Sequence, residues 1–161
     1  MECLREVCSQ SRVGWGDGVS FRYPKRLRFQ CTRCALCCGD TSTRARHILL
    51  LKSEVEQISQ DTARPVQEFA GEIKGREPYV YEMKKTAEEG KCFFLSDKVC
   101  AIYELRPLIC RFYPFELSRS RDQRHAFLCT KECPGVGEGK LLEKEYFEDL
   151  FRQACDKLLE L

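Results

Sequence analysis

The stretch Cys31-Thr-Arg-Cys-Ala-Leu-Cys-Cys38 decides how this chain is interpreted, because it places four cysteines within eight residues. Two residues between successive cysteines let a loop curl so that their thiolates face one metal ion at about 2.3 Å. Cys31, Cys34 and Cys37 also have the spacing of a ferredoxin-type cluster loop, whose remaining ligand is often a cysteine followed by proline elsewhere in the chain. Cys133, which precedes Pro134, could supply that ligand.

The second cysteine of the adjacent pair, Cys38, complicates a single four-ligand site. Adjacent residues in irregular backbone send their side chains in different directions, so the pair indicates two metals, a polynuclear centre, or one ligand beside a bystander. Nine cysteines lie between residues 31 and 133, more than the four that one tetrahedral zinc ion or one cubane cluster takes. The candidate ligands outside the loop are Cys92, Cys100, Cys110, Cys129 and Cys133.

The total of 12 cysteines in 161 residues fits a metal protein of a reducing compartment better than a secreted disulfide scaffold. Residues 1–12 mix Glu2, Arg5, Glu6 and Arg12 with scattered apolar residues, so we expect no signal peptide. No apolar run approaches the roughly 20 residues that span a membrane. We therefore expect a cytoplasmic protein without a membrane segment.

The charge balance gives no strong field for nucleic acid, since 27 basic and 25 acidic residues leave a formal net charge of +2. The stretch from Phe21 to Phe29 is locally basic and aromatic. It could face a nucleic acid, or it could dock its aromatic side chains on a core. We expect a protein partner that accepts electrons or metal, and nucleic-acid binding stays open.

The pattern of apolar and turn-forming residues predicts a small, irregular α+β domain with short strands and hairpins around a cysteine-ligated metal centre. Ser53 and Glu56 have the spacing of a capping box that begins a helix. Apolar runs on both sides of 96–98 predict a β-hairpin. We expect an N-terminal extension over residues 1–28, a metal-binding domain over 29–139, and an amphipathic helix over 140–161 packed on that domain.

The chain resembles the YkgJ-type cysteine-cluster family, whose CxxCxxCC domain is described as zinc- or iron-chelating. The matching stretches are Phe29–Cys38, Gly90–Leu95, Cys100–Pro114 and Cys133–Gly137. Family members include the cluster-bearing part of flagellin lysine methylases, which implies that the domain can hold an iron–sulfur cluster. Ala35 stands where a glycine is common. The resemblance implies eight cysteine ligands: Cys31, Cys34, Cys37, Cys38, Cys92, Cys100, Cys110 and Cys133.

Three further cysteines lie outside the family pattern. Cys3 and Cys8 could complete a second site or remain unliganded thiols, whereas Cys155 follows the apolar face of the last helix and is expected to be a small buried hydrophobe. Arg106 and Arg111 flank Cys110. They could offset the negative charge of a cluster or form ion pairs that shape the turn.

These features predict an iron–sulfur protein with one or two 4Fe–4S clusters that transfers electrons, or delivers a cluster, metal or sulfur to a partner. One alternative is a structural zinc module that binds a protein or RNA. Another is an accessory subunit of a methyl-transfer enzyme. The sequence contains no nucleophile elbow, phosphate loop or dinucleotide fingerprint, and whether the chain is an enzyme stays open.

Overall fold

The computed structural model of the chain describes residues 10–14, 20–42, 44–119 and 125–158. These residues form two compact units. One unit comprises residues 33–111, and the other combines the segments up to residue 32 and from residue 112 onward. Small sheets and helices alternate along the described chain, which confirms the predicted α+β class.

The unit of residues 33–111 is built on a three-stranded antiparallel sheet with the strand order β4-β6-β5. These strands are β4 (Leu49–Leu50), β5 (Ala70–Glu72) and β6 (Tyr81–Met83). Helices α1 (Lys52–Thr62) and α2 (Val66–Phe69) connect β4 to β5. Because both helices connect strands of the same sheet, their apolar side chains pack with those of the strands in one core.

The core of this unit includes cysteine side chains. Cys92 is buried together with apolar residues of the sheet and the helices, and Cys38, Cys100 and Cys110 pack against the same cluster while partly buried. Four thiols therefore lie in or beside an apolar environment, which restricts the water around any group that they bind. The buried apolar partners are Ile48, Leu50, Val55, Ile58, Phe69, Ala70, Met83, Phe94 and Ile102.

Helix α1 starts in a different register from the predicted one. Its N-cap residue is Leu51, whose backbone N–H donates to Glu54 Oε2 at 2.9 Å. The predicted capping box of Ser53 and Glu56 is therefore wrong by two residues, because the carboxylate that reaches back belongs to Glu54. The helix ends at Thr62, and Ala63 closes it in the left-handed conformation with φ 52°.

The predicted β-hairpin is confirmed. Strands β7 (Leu95–Ser96) and β8 (Val99–Cys100) pair antiparallel, and the two residues between them, Asp97 and Lys98, have φ values of 49° and 62°. Two successive positive φ values are typical of the type I′ turn that joins tightly paired strands. From this hairpin the chain continues to helix α3 (Leu108–Phe112), which contains Cys110.

The second unit contains a four-stranded sheet with the order β1-β2-β10-β9. Strands β2 and β10 are parallel, and the two outer pairs are antiparallel. The segment predicted as an N-terminal extension thus contributes two strands to a sheet completed by the C-terminal half of the chain. The four strands are β1 (Gln10–Gly14), β2 (Ser20–Pro24), β9 (Phe115–Arg119) and β10 (His125–Cys129).

Helix α4 (Lys144–Leu158) packs on this sheet through aromatic side chains. The Phe151 ring stacks on Phe21 at 4.5 Å between centroids, and the Phe147 ring stacks on Tyr23 at 5.0 Å. Phe21 and Tyr23 belong to the basic, aromatic stretch of the sequence. Their rings are therefore used in packing, as the docking alternative expected.

The same unit pairs the segment before the cysteine loop with a C-terminal segment. Strand β3 (Arg28–Phe29) pairs antiparallel with β11 (Lys140–Leu141). This pairing explains why α4 begins at Lys144, whereas the apolar spacing predicted helix from residue 140. Among the described residues, no helix combines the length and the apolar character needed to cross a membrane.

Candidate metal centre

Five of the predicted ligands in the unit of residues 33–111 come from four separate segments of the chain. The Sγ atoms of Cys37 and Cys38 lie 3.5 Å apart. Cys92 lies in the apolar core, and Cys38, Cys100 and Cys110 pack against the same cluster. The fold therefore brings together thiols that are separated by up to 73 residues in sequence, counted from Cys37 to Cys110.

Backbone pairing sets the position of the cysteine loop. The Cys92 N–H donates to the Cys38 carbonyl oxygen at 2.6 Å, and the next residue, Gly39, forms a β-bridge with Lys91. A Cβ atom at Gly39 would lie only 2.5 Å from Lys91 Cδ and 2.8 Å from the carbonyl oxygen of Gly90. Glycine at this position thus lets the two cysteine-bearing segments approach each other closely.

Asp40 fixes the end of the loop. Its Oδ1 atom accepts the Arg46 N–H at 2.7 Å and lies 2.7 Å from Lys85 Nζ. The Lys85 hydrogen bond, followed by the one from the Arg46 backbone, lowers the pKa of the Asp40 carboxyl. Lys85 forms a β-bridge with Cys92. Asp40 therefore joins the loop that ends in Cys38 to the segment that carries Cys92, a role that the sequence analysis missed.

Cys110 is held by the short helix α3. The Pro107 carbonyl accepts the N–H groups of Cys110 and Arg111 at 2.9 and 3.0 Å. The Arg106 guanidinium lies over the Tyr103 ring, 3.6 Å from its centroid, and its Nε donates to the Tyr103 carbonyl at 2.7 Å. The Arg106 charge acts on the Cys110 thiol, so this arginine is placed to offset negative charge at the sulfur.

The surroundings favour the protonated form of three thiols, Cys37, Cys92 and Cys110. Burial, followed by the neighbouring thiols, raises the pKa of Cys110 well above its usual range, and burial raises the pKa of Cys92 to about 11. The hydrogen bond with the Cys38 side chain, followed by burial, raises the pKa of Cys37. A metal must be bound by thiolates, so its binding here would release protons and become tighter as the pH rises.

The remaining predicted ligands are divided between the two units. Cys34 is half-buried within residues 33–111, whereas Cys31 is exposed and belongs to the second unit. Cys129 and Cys133 belong to that second unit too. Cys129 Sγ approaches the Thr130 carbonyl oxygen at 3.6 Å.

Two cysteines of the second unit lie on paired backbone. The Gln30 N–H donates to the Gly135 carbonyl oxygen at 3.1 Å, so Cys31 directly follows one paired residue and Cys133 precedes the other by two. A Cβ atom at Gly135 would lie 2.2 Å from the Gln30 carbonyl oxygen. Glycine is therefore required at position 135 for this pairing.

Three cysteines lie outside the family pattern. Cys3 and Cys8 lie outside the described residues. Cys155 is half-buried on helix α4, beside the fully buried Ala154, and burial followed by the charge of Asp156 raises its pKa. We expected a small buried hydrophobe at this position, and the side chain is instead half-buried.

The central group consists of Cys37, Cys38, Cys92, Cys100 and Cys110. Its donor chemistry fits a thiophilic metal. Its members are thiols, and the 3.5 Å separation of Cys37 Sγ and Cys38 Sγ is close to the edge of about 3.8 Å between two thiolates bound at 2.3 Å in a tetrahedral site. In the described part of the chain, no three His, Cys, Asp or Glu side chains are arranged to hold a metal ion. The structure thus gives pairwise relations between thiols, and their assignment as ligands stays a prediction.

Two relatives from Methanocaldococcus jannaschii are similar to this chain. The uncharacterized protein MJ0661 is 26% identical over 163 residues, which cover 86% of this chain and 84% of the relative. The uncharacterized protein MJ0939 is 26% identical over 151 residues, which cover 84% of this chain and 50% of the relative. The chain therefore spans about half the length of the second relative. No solved structure matches the chain.

A family model supports the resemblance that the cysteine pattern carried. It is described as "CxxCxxCC: Putative zinc- or iron-chelating domain" and matches residues 30–138. The match contains all nine candidate ligands between Cys31 and Cys133. It also covers more than half of the 161 residues. The chain therefore belongs to the CxxCxxCC family of zinc- or iron-chelating domains.

Proposed function

We propose that this domain binds an iron–sulfur cluster, of the 4Fe–4S type, and serves in electron transfer or in the delivery of a cluster, metal or sulfur to a partner. The observation that carries the proposal is that Cys38, Cys92, Cys100 and Cys110 lie in or against one apolar core, and that Cys37 Sγ lies 3.5 Å from Cys38 Sγ. Five thiols are enough to supply the four cysteine ligands of one cubane cluster, and soft thiolates are the ligands that iron–sulfur clusters take.

The environment of the thiols supports the same proposal. Cys92 belongs to the apolar core, and the positive charges of Arg46 and Arg106 act on Cys37 and Cys110 respectively. Exclusion of water and nearby charge are the means by which a protein sets the potential of a cluster. When bound, an iron–sulfur cluster would supply a redox couple, and the chain's own residues would bind it, limit its contact with water and offset its charge.

A partner could approach the centre at the β7–β8 hairpin and the segment after it. Val99 and Tyr103 are the exposed large apolar side chains of this segment, at 47% and 40%, and Cys100 lies between them in sequence. The Arg106 guanidinium lies over the Tyr103 ring, 3.6 Å from its centroid, so a partner at this hairpin would meet a positive charge beside the apolar Val99 side chain. This placement supports a protein partner that accepts electrons or metal.

Redox titration of the protein purified without oxygen tests the electron-transfer role. The visible absorption should bleach with dithionite, return on reoxidation, and repeat over several cycles. The variant Cys110→Ser should lose the chromophore, while Cys155→Ser should keep it, because Cys155 is not among the cysteines that the family resemblance implies as ligands. A protein whose spectrum does not respond to dithionite would contradict electron transfer and leave delivery to be tested with a metal-free acceptor.

A structural zinc module remains the second candidate, and one observation favours it. Cys92 is 7% exposed and packs with Phe94 at 5% and Ile102 at 4%, so a metal held there would directly join segments of the core. Such a metal would contribute folding free energy. In that case the protein would be colourless, and a chelator would lower the melting temperature of the domain without changing any redox signal.

A further inference from the structure

We infer that Glu54 is the positioning residue for Cys110, the thiol on helix α3. The inference deepens the proposed function and depends on it, because it assigns a task at the same centre to a residue that carries no sulfur. Glu54 lies on helix α1, 56 residues from Cys110 in sequence. It therefore acts through the fold rather than through the cysteine motif.

The carboxylate of Glu54 accepts hydrogen bonds from backbone N–H groups at the starts of two helices. Its Oε2 accepts the N–H of Leu51, the N-cap residue of α1, at 2.9 Å. Its Oε1 accepts the N–H of Leu108, the first residue of α3, at 2.6 Å. Each oxygen thus has its own donor, and a single side chain joins the starts of the two helices.

The bond to Leu108 matters because this residue is buried, with an exposed fraction of 4%. A buried backbone N–H at the start of a helix needs an acceptor, and a charged carboxylate is a stronger acceptor than a neutral group. The helix itself is only five residues long, from Leu108 to Phe112. A helix this short has little stability of its own and depends on such an anchor.

Cys110 follows this anchor by two residues. Its N–H is bonded to the Pro107 carbonyl at 2.9 Å, so its position follows directly from where the first turn of α3 is held. Helix α1, which carries Glu54, is itself fixed by packing, because its residues Val55 and Ile58 are each 1% exposed in the core. Loss of the Glu54–Leu108 bond should therefore displace Cys110 relative to Cys92, whose backbone is held separately by Cys38.

The test measures both thiol reactivity and metal binding in the full chain. The variants are Glu54→Ala, which removes both acceptors, and Glu54→Gln, which keeps the length of the side chain and one acceptor oxygen. Glu56→Gln serves as the control, because it removes the same charge from an exposed position on the same helix. Alkylation of Cys110 and Cys92 by iodoacetamide is followed by mass spectrometry in the metal-free protein. Cadmium affinity is measured against a competing chelator.

The expected result is selective. In Glu54→Ala the ratio of the Cys110 to the Cys92 alkylation rate should rise about tenfold or more, and cadmium should bind about 10- to 100-fold more weakly, as is usual when a supporting hydrogen bond is lost. Glu54→Gln should fall between Glu54→Ala and the wild type, and Glu56→Gln should match the wild type. A purely stabilising role would instead raise the reactivity of both thiols together.

Three outcomes would contradict either the positioning role of Glu54 or the proposed metal centre. If Glu54→Ala keeps the wild-type alkylation ratio and cadmium affinity, the positioning role is wrong. If Glu54→Ala fails to fold, Glu54→Gln decides, and a wild-type ratio in that variant overturns the inference. If cadmium binds Cys110→Ser as tightly as the wild type, the proposed metal centre itself is wrong, whereas the alkylation ratio still reports on Glu54.

Discussion

Asp40 and Lys85 form an ion pair, with 2.7 Å between Oδ1 and Nζ, that joins the end of the cysteine loop to the segment carrying Cys92. The pair reinforces a backbone bond between Cys92 and Cys38. The Lys85 side chain is only 20% exposed, so this ion pair is screened less by salt than one on the open surface. The loop is thereby fixed from two directions.

Replacing Lys85 with methionine should weaken metal binding without unfolding the domain. The apolar stem is retained, but the charge that holds Asp40 is lost, so the affinity for cadmium should fall about tenfold, as is found when residues supporting a metal ligand are changed. Lys52→Met is the matched control, because Lys52 is 76% exposed and its distance to Glu56 is 3.9 Å. Chelator competition measures both variants, and equal affinities would show that the ion pair does not support the loop.

The variant Ala35→Gly should stabilise the cysteine loop. Ala35 has a φ of 61°, a left-handed conformation that costs a residue with a Cβ atom roughly 1–2 kcal/mol and costs glycine little. Ala35 stands where a glycine is common in the family, and the left-handed backbone shows why glycine fits this position better. The gain should be visible as a higher urea midpoint in the metal-free protein.

Ala70→Gly is the control for that substitution. Ala70 has a φ of −137° and is 3% exposed, so glycine there adds backbone entropy to the unfolded chain and removes a packed methyl group. This variant should lose about 1 kcal/mol or more. If Ala35→Gly lost as much stability as Ala70→Gly, the result would contradict a left-handed conformation at Ala35.

The variant Gly135→Ala should destabilise the pairing beside Cys31 and Cys133. The added Cβ would lie 2.2 Å from the Gln30 carbonyl oxygen, which the chain can relieve only by moving backbone, at a cost of about 1–3 kcal/mol. Gly71→Ala, where nothing lies within 4 Å of the added atom, should change the free energy of unfolding by less than about 0.5 kcal/mol. Urea unfolding compares the two, and equal midpoints would contradict the pairing.

Neutralising Arg106 should lower the reduction potential of a bound cluster. Its charge acts on Cys110, and removing a nearby positive charge makes the addition of an electron less favourable, by on the order of tens of millivolts. The change Arg106→Gln is compared with Arg152→Gln, which alters an exposed arginine paired with Asp149 at 3.4 Å on helix α4. Potentiometric titration should show a lower reduction potential only in Arg106→Gln. An unchanged reduction potential in that variant would show that the Arg106 charge does not act on the centre.

Local patterns predicted much of this fold. The hairpin around Asp97 and Lys98 followed from apolar runs flanking a turn, and the C-terminal helix followed from its apolar spacing. The starts of helices were less predictable. Ser53 and Glu56 have good capping chemistry, but Leu51 and Glu54 form the box because Leu51 packs in the core and Glu54 also reaches Leu108. Tertiary contacts of this kind leave no signal in local sequence.

The candidate site was predictable in its chemistry and less so in its arrangement. Cysteine number and spacing indicated thiol ligands, but spacing alone grouped Cys31 with Cys34 and Cys37. The structure adds that Cys38, Cys92, Cys100 and Cys110 lie in or against one core, because backbone pairing between distant segments brings them there. For the same reason the carboxylates of Asp40 and Glu54 could not be recognised from sequence. The grouping of Cys31 with Cys34 and Cys37 stays a prediction.

The most direct test of the account is the content of iron, zinc and acid-labile sulfide per chain, measured with an absorption spectrum on protein purified without oxygen. The account predicts about four iron and four sulfide per chain, or about eight of each for two clusters, with a broad band near 400 nm. One or two zinc ions per chain with no iron or sulfide would contradict it and leave the structural zinc module as the function of this domain.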